Sequence, residues 1–147
     1  MNDTAIDNRL EDVAVGDTAQ TVWHVTEEEI KKFATLSGDR NPLHMDSDYA
    51  RSCGFEDRLA HGLLVGAKIS GVIGMQLPGK RCLLLEQKLS YPNPLYPGDC
   101  ASVRVEIQTV HTELAVIELK VTVEKLSAAG APVSKIARGK VTCKILS

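Results

Sequence analysis

The hydrophobic pattern of this chain changes period once, and that change restricts the fold more than any other feature. From Leu59 to Met75 the residues are apolar on nearly all sides of a helical projection, interrupted by His61 and Lys68. Such a helix is expected to be buried. It also carries Gly62, Gly66, Ser70 and Gly74 at four-residue spacing, a stripe of small side chains that lets another element approach closely. Each glycine costs about 1 kcal/mol of helix stability relative to alanine, so the stripe implies a packing requirement that offsets the cost. Beyond Arg81 the period becomes two. Leu83, Leu85, Gln87, Leu89 and Tyr91 alternate with Leu84, Glu86, Lys88 and Ser90. The same alternation runs through Val103 to Gln108, Ala115 to Glu124 and Lys140 to Ile145. These are half-buried strands, and their shared apolar face needs a cover. Helices first and a meander of long strands afterwards predict an α+β domain, with the apolar helix as the cover.

Upstream, Ala19 to His24 reads as a short strand. Thr26 and Glu29 form a capping box. The helix it opens carries Ile30, Phe33, Ala34 and Leu36 on one side and ends near Ser37-Gly38. Gly38 to His44 reads as a loop, because Asn41 precedes a proline. A short helix is expected from Asp46 to Ser52. Residues 1–15, with Asp3, Asp7, Glu11 and Asp12, form a polar segment whose first dozen residues are expected to be loosely ordered, and residues 16–147 form the single domain.

Composition narrows function by exclusion. Seventeen Lys and Arg against nineteen Asp and Glu provide no basic surface for nucleic acid. Aromatics at 4% provide no stacking platform for bases. Cys53, Cys82, Cys100 and Cys143 show no C-x-x-C spacing. The amino-terminal residues lack the apolar run of a secretory signal, and the apolar stretch is shorter than the roughly 20 residues of a membrane span. The expectation is a soluble protein of a reducing, cytoplasmic compartment.

The chemistry-bearing segment is Ser37-Gly38-Asp39-Arg40-Asn41-Pro42-Leu43-His44. A loop closed by Asn41-Pro42 can fold back and bring Asp39 and His44 to one point, where a carboxylate and an imidazole would form a general acid/base pair on a water. On chemistry alone, an Asp in this setting is more readily a turn residue bonding nearby amides. His61 reads as a residue that caps or orients the start of the apolar helix rather than as a third acid/base group or a metal ligand. Ser70 alternates between a bond to its own turn and a role at the site. Gln87 breaks an apolar face without indicating what it meets, and Lys68 snorkels to solvent or meets a dimer neighbour.

That loop, followed by Ala60-His61-Gly62, resembles the MaoC-like, (R)-specific enoyl-CoA hydratases. The resemblance continues through Gly71 to Gly79, Gln87 to Tyr91 and Tyr96-Pro97-Gly98-Asp99, from about residue 20 to the end. It implies a hot-dog fold, an antiparallel sheet wrapped around a long central helix, in a homodimer. It further implies reversible addition of water to a trans-2-enoyl thioester, with no metal or other cofactor. Asp39 and His44 would activate the water and move a proton to C2. The Gly62 N–H would bind the thioester oxygen, with Ser70 and Asn41 supporting substrate binding. Tyr91, Pro92, Pro94 and Tyr96 would shape the entrance, and Arg40, Arg58, Lys80 and Arg81 are the cations available to coenzyme A phosphates. The alternatives are a 3-hydroxyacyl-carrier-protein dehydratase, an acyl-CoA thioesterase and a non-catalytic acyl-CoA-binding protein.

Overall fold

A computed structural model describes residues 4–147. Five antiparallel strands, β1 (Thr18–His24), β2 (Cys82–Ser90), β3 (Cys100–His111), β4 (Val116–Leu126) and β5 (Pro132–Ile145), form one sheet in the order β1-β3-β4-β5-β2. Four helices lie between β1 and β2: α1 (Glu27–Ser37), α2 (Pro42–Met45), α3 (Ser47–Ser52) and α4 (Gly62–Met75). The predicted alternation delivers the core. Ala101, Val103, Val105 and Ile107 of β3 and Ile117, Leu119, Val121 and Val123 of β4 point to one face and are almost fully buried. Val65, Ile69, Val72 and Ile73 of α4 cover them. Each such aliphatic side chain contributes about 1.5–3 kcal/mol on burial, so this interface dominates folding.

The capping box at Thr26 forms as expected, and α1 ends at Gly38 in the left-handed region (φ 78°). Glu29 does more than cap. It accepts from the Trp23 indole N–H (2.9 Å) and pairs with Lys68 of α4, which stands 5.2 Å from the Trp23 ring centroid. Lys68 is therefore the fastening between α4 and the α1 entry.

Several expectations change. Leu36 does not join the buried side of α1; it is 84% exposed. The apolar helix begins at Gly62 rather than Leu59, since His61 is the extended N-cap. Nor is α4 buried all round: Leu63, Ala67, Ser70 and Gly71 face outward in the single chain. The polar amino-terminal segment is tied down over residues 4–15: the Ile6 N–H donates to the Met75 carbonyl, Asp7 pairs with Arg81, and Val13 enters the core. Residues 1–3 of that segment, including Asp3, lie outside the described residues.

The largest change is in β2. Its register against β5 shifts between Leu84 and Glu86. Cys82 opposes Ile145 and Leu84 opposes Cys143, but after the shift Gln87 opposes Val141 and Leu89 opposes Gly139. Directly opposed residues share a face, so Cys82, Leu84, Gln87 and Leu89 lie on the face of buried Val141, Cys143 and Ile145. One extra residue in a strand reverses the parity of everything beyond it. The uniform alternation expected from Leu83 to Tyr91 is therefore broken, and Leu83, Leu84 and Leu85 stand about half exposed on the sheet edge.

β2 lies so close to β5 that a Cβ on Gly139 would sit 1.8 Å from the Lys88 carbonyl oxygen. Backbone cannot yield to a side chain there. Gly139→Ala is expected to destabilise the fold by about 1–3 kcal/mol or more, the scale of overpacking, as a lower urea midpoint at unchanged m-value.

Candidate active site

The site is assembled from short-range backbone bonding at the end of α1. After Gly38 reverses the chain, the Asp39 Oδ1 accepts from the Asn41 N–H (3.1 Å). Asn41 in turn caps α2, accepting from the Leu43 N–H (3.0 Å), and Pro42 takes the first helical position, where its missing N–H costs nothing. His44 thus sits on one turn of helix rather than in the expected loop. The pre-proline restriction holds at Asn41 but permits a helix to begin at Pro42.

Three side chains converge here. His44 Nε2 lies 3.8 Å from Asp39 Oδ2, and the two imidazoles of His44 and His61 stack with centroids 3.8 Å apart and planes 26° apart. The other ring nitrogens determine the tautomers. His44 Nδ1 lies 2.8 Å from the Leu59 carbonyl oxygen, and His61 Nε2 lies 3.0 Å from the Asp39 carbonyl oxygen. A carbonyl only accepts, so both nitrogens carry the proton. In the neutral ring, His44 Nε2 is then a bare lone pair facing the Asp39 carboxylate. Their separation exceeds a direct hydrogen bond and suits a water touching both at about 2.8 Å.

Asp39 is half exposed, whereas His61 is 1% exposed with an unpartnered, buried Nδ1. His61 occupies the N-cap position but makes no side-chain capping bond. Its ring is wedged between His44 and an edge-on Phe33. Asp39, His44 and His61 offer ligand atoms within 4.8 Å of one another. Stacked imidazoles, however, direct their in-plane lone pairs along neighbouring planes rather than at one point, which is poor geometry for a shared tetrahedral ion.

A cavity of about 420 Å³ adjoins His44, bounded by Leu59, Gly62, Val65, Tyr91 and Ile136. Pro92 and Pro94 also line it, as the entrance reading expected. Tyr96 does not; its hydroxyl accepts from the Glu56 N–H. Ile136 reaches the wall because it is the extra residue where the β4–β5 register shifts: Val123 opposes Ala137 and Glu124 opposes Lys135. Gly62, the first residue of α4, has an N–H with no acceptor among the described residues. A Cβ there would meet the Tyr91 ring at 3.4 Å. One turn on, a Cβ at Gly66 would lie 2.7 Å from Gln87 Nε2, so Gly62 receives Tyr91, which follows β2, and Gly66 receives Gln87 and Leu89 of β2.

Not every expected residue gathers here. Ser70 is exposed, about 12 Å along α4 from Gly62. The Asn41 side chain is engaged in capping. Arg58 pairs with Glu27, Lys80 and Arg81 pair with Asp7, and Arg40 donates to Thr35. The contribution of His61 was not legible beforehand, because its partners lie 17 and 22 residues away in the chain.

A sheet wrapped on one central helix defines a hot-dog domain, with an Asp/His cluster at the helix start. The MaoC like domain model matches residues 12–129. The (R)-specific enoyl-CoA hydratase of Aeromonas caviae is 36% identical over 105 residues, 71% of this chain and 78% of the relative. That of Rhodospirillum rubrum is 33% identical over 120 residues, covering 82% and 83%. The unliganded R-hydratase PhaJ1 from Pseudomonas aeruginosa superimposes with a TM-score of 0.84 at 30% identity, covering 95% of this chain and 86% of that one. The chain belongs to the MaoC-like domain family.

Burial pushes the proton affinity of His61 below the ordinary histidine value of 6.5, against the opposing hydrogen bond to the Asp39 carbonyl. The folded ring resists a proton that the unfolded chain accepts. Stability is therefore fully present above pH 6.5 and declines as pH falls below it. An NMR titration of the His61 ring is expected to give a midpoint below that value.

Proposed function

We propose that this chain catalyses the reversible hydration of trans-2-enoyl-CoA to (R)-3-hydroxyacyl-CoA, with Asp39 and His44 as its acid/base pair. The observation that carries this reading is the 3.8 Å gap between the Asp39 carboxylate and the bare His44 Nε2, at the wall of a largely apolar cavity. Water held in that gap is polarised by two acceptors, so its oxygen becomes the nucleophile and its proton has a receiver. Attack at C3 of the enoyl group moves the π electrons through C2 towards the thioester oxygen. The resulting enolate-like state takes a proton at C2 from the pair. The reverse sequence eliminates water.

Gly62 is the proposed donor to the thioester oxygen. Its N–H is one of the helix-start amides with no intrahelical acceptor, at the positive end of the α4 dipole. One such donor is worth about 3 kcal/mol of transition-state stabilisation. Asn41 contributes by holding the α2 turn that presents His44. Ser70 contributes through the outward face of α4.

That face is proposed to meet a second copy. The apolar Leu83, Leu84 and Leu85 stand exposed on the edge strand β2, whose Gln87 and Leu89 pack on Gly66 of α4. An unpaired apolar edge of this kind calls for pairing or cover. A reducing, cytoplasmic compartment is consistent with Cys53, Cys82, Cys100 and Cys143, which are free thiols.

The test is hydration of trans-2-enoyl-CoAs of increasing chain length, followed by loss of conjugated thioester absorbance, with chiral analysis and a free-thiol readout. Absorbance loss without thiol release, giving the (R)-product, is expected. Release of free thiol would indicate hydrolysis instead, and turnover restricted to carrier-protein thioesters would redefine the substrate. Asp39→Asn and His44→Gln are each expected to fold and to lose at least about 100-fold in kcat. In light-scattering chromatography the protein is expected at twice its chain mass, and Leu83→Lys with Leu85→Lys at the single-chain mass.

A further inference from the structure

We propose that His61 is a positioning residue that holds Asp39 and His44 in register, an inference that rests on the hydratase reading. Two contacts carry it. The His61 Nε2–H ties down the main-chain carbonyl of Asp39 at 3.0 Å, and the same ring forms the surface on which the His44 imidazole lies. His44 is held independently from its far side by the Leu59 carbonyl. His61 thus touches both members of the pair, and it does so from a buried position with 1% exposure. Without it, Asp39 has only local turn bonding at a half-exposed site, and the carboxylate can swing away from Nε2.

A neutral ring suits this role. The charged or titratable groups facing His61 are Asp39 from the loop after α1 and His44 from α2; α1 itself presents only the Phe33 edge. His61 Nδ1 has no partner, so a proton there would be a buried, unsatisfied donor beside His44. The resting form has one donor, already spent on the Asp39 backbone. His61 therefore braces the pair without competing for the reacting proton.

Two near-isosteric substitutions separate the tie from the stack. His61→Phe keeps a ring beneath His44 and removes the donor; His61→Gln keeps an N–H near the Nε2 position and removes the ring. Each is expected to lower kcat about tenfold, with KM changed less than about twofold, the scale of sub-ångström misplacement of a reacting group. In the Asp39→Asn background His61→Phe is expected to cost nothing further, because the residue it positions no longer works. Solvent exchange of the Asn41 backbone amide supplies a readout independent of activity, since that amide donates to the Asp39 carboxylate. Its exchange is expected to accelerate severalfold in His61→Phe and to stay near wild type in His61→Gln. Unchanged Asn41 exchange in His61→Phe, or a kcat loss of the same size in the Asp39→Asn background, would overturn the proposal. A wild-type protein that hydrates no enoyl thioester would refute the hydratase reading alone, and the exchange measurement would still decide whether His61 holds Asp39.

Discussion

α4 meets β2 and the residue after it at Gly62 and Gly66, where no Cβ stands between helix and strand. Tyr91 is stacked over the first of these glycines, and Gln87 and Leu89 are packed over the second. A methyl group at Gly66 would lie 2.7 Å from the Gln87 amide and would force that side chain to shift. Gly139 makes the complementary allowance from the other side of β2, admitting the Lys88 carbonyl at a distance no side chain tolerates. With β2 held between β5 and α4, Tyr91 reaches the cavity wall and the start of α4 faces into the cavity. The hydrophobic cover over β3 and β4 supplies the driving force. The glycines decide where the covered pieces stop.

The proposed acid/base pair, Asp39 and His44, depends on polar contacts of a different kind. Nearly all the bonds that shape the segment from Gly38 to His44 span five residues or fewer, and they use up the local side-chain acceptors. Asp39 Oδ1 goes to the Asn41 amide, and Asn41 Oδ1 goes to the Leu43 amide. Asp39 therefore acts as a turn residue through one oxygen while its other oxygen faces His44. The turn reading and the catalytic reading of this residue describe two atoms of one carboxylate. The longer bonds, from His44 to Leu59 and from His61 to Asp39, select the ring tautomers and so leave a lone pair where the proposed water would be activated.

In the single chain, the outward side of α4 and the leucines of β2 expose apolar and small residues on adjacent surfaces. The sequence shows these residues as a fully apolar helix and a fully patterned strand. The structure divides each into a half that packs within the chain and a half that stays exposed. Lys68 lies between the two regimes. An intrachain pair with Glu29 and contact with Trp23 account for a cation on an otherwise apolar helix.

Features that depend on side-chain projection along a continuous element were legible in advance. The α+β class, the covering helix, the inward faces of β3 and β4, the capping box at Thr26 and the closeness of Asp39 to His44 all follow from spacings of a few residues. Such spacings are set by helix and strand geometry, whatever surrounds them. Features that arise between elements remote in sequence were not legible. The β2 register shift at Leu84 reverses which residues face inward, and nothing in the alternation of β2 marks it, because register is decided by β5. The exposure of Leu36 and Ser70 and the stacking of His61 under His44 were likewise decided by tertiary packing. The chain by itself determined which chemistry is present and which faces are apolar, since both are properties of residue type and local period. Only the tertiary structure decided that a buried histidine from the start of α4 braces an aspartate 22 residues earlier, because that contact forms only when α4 closes over the sheet.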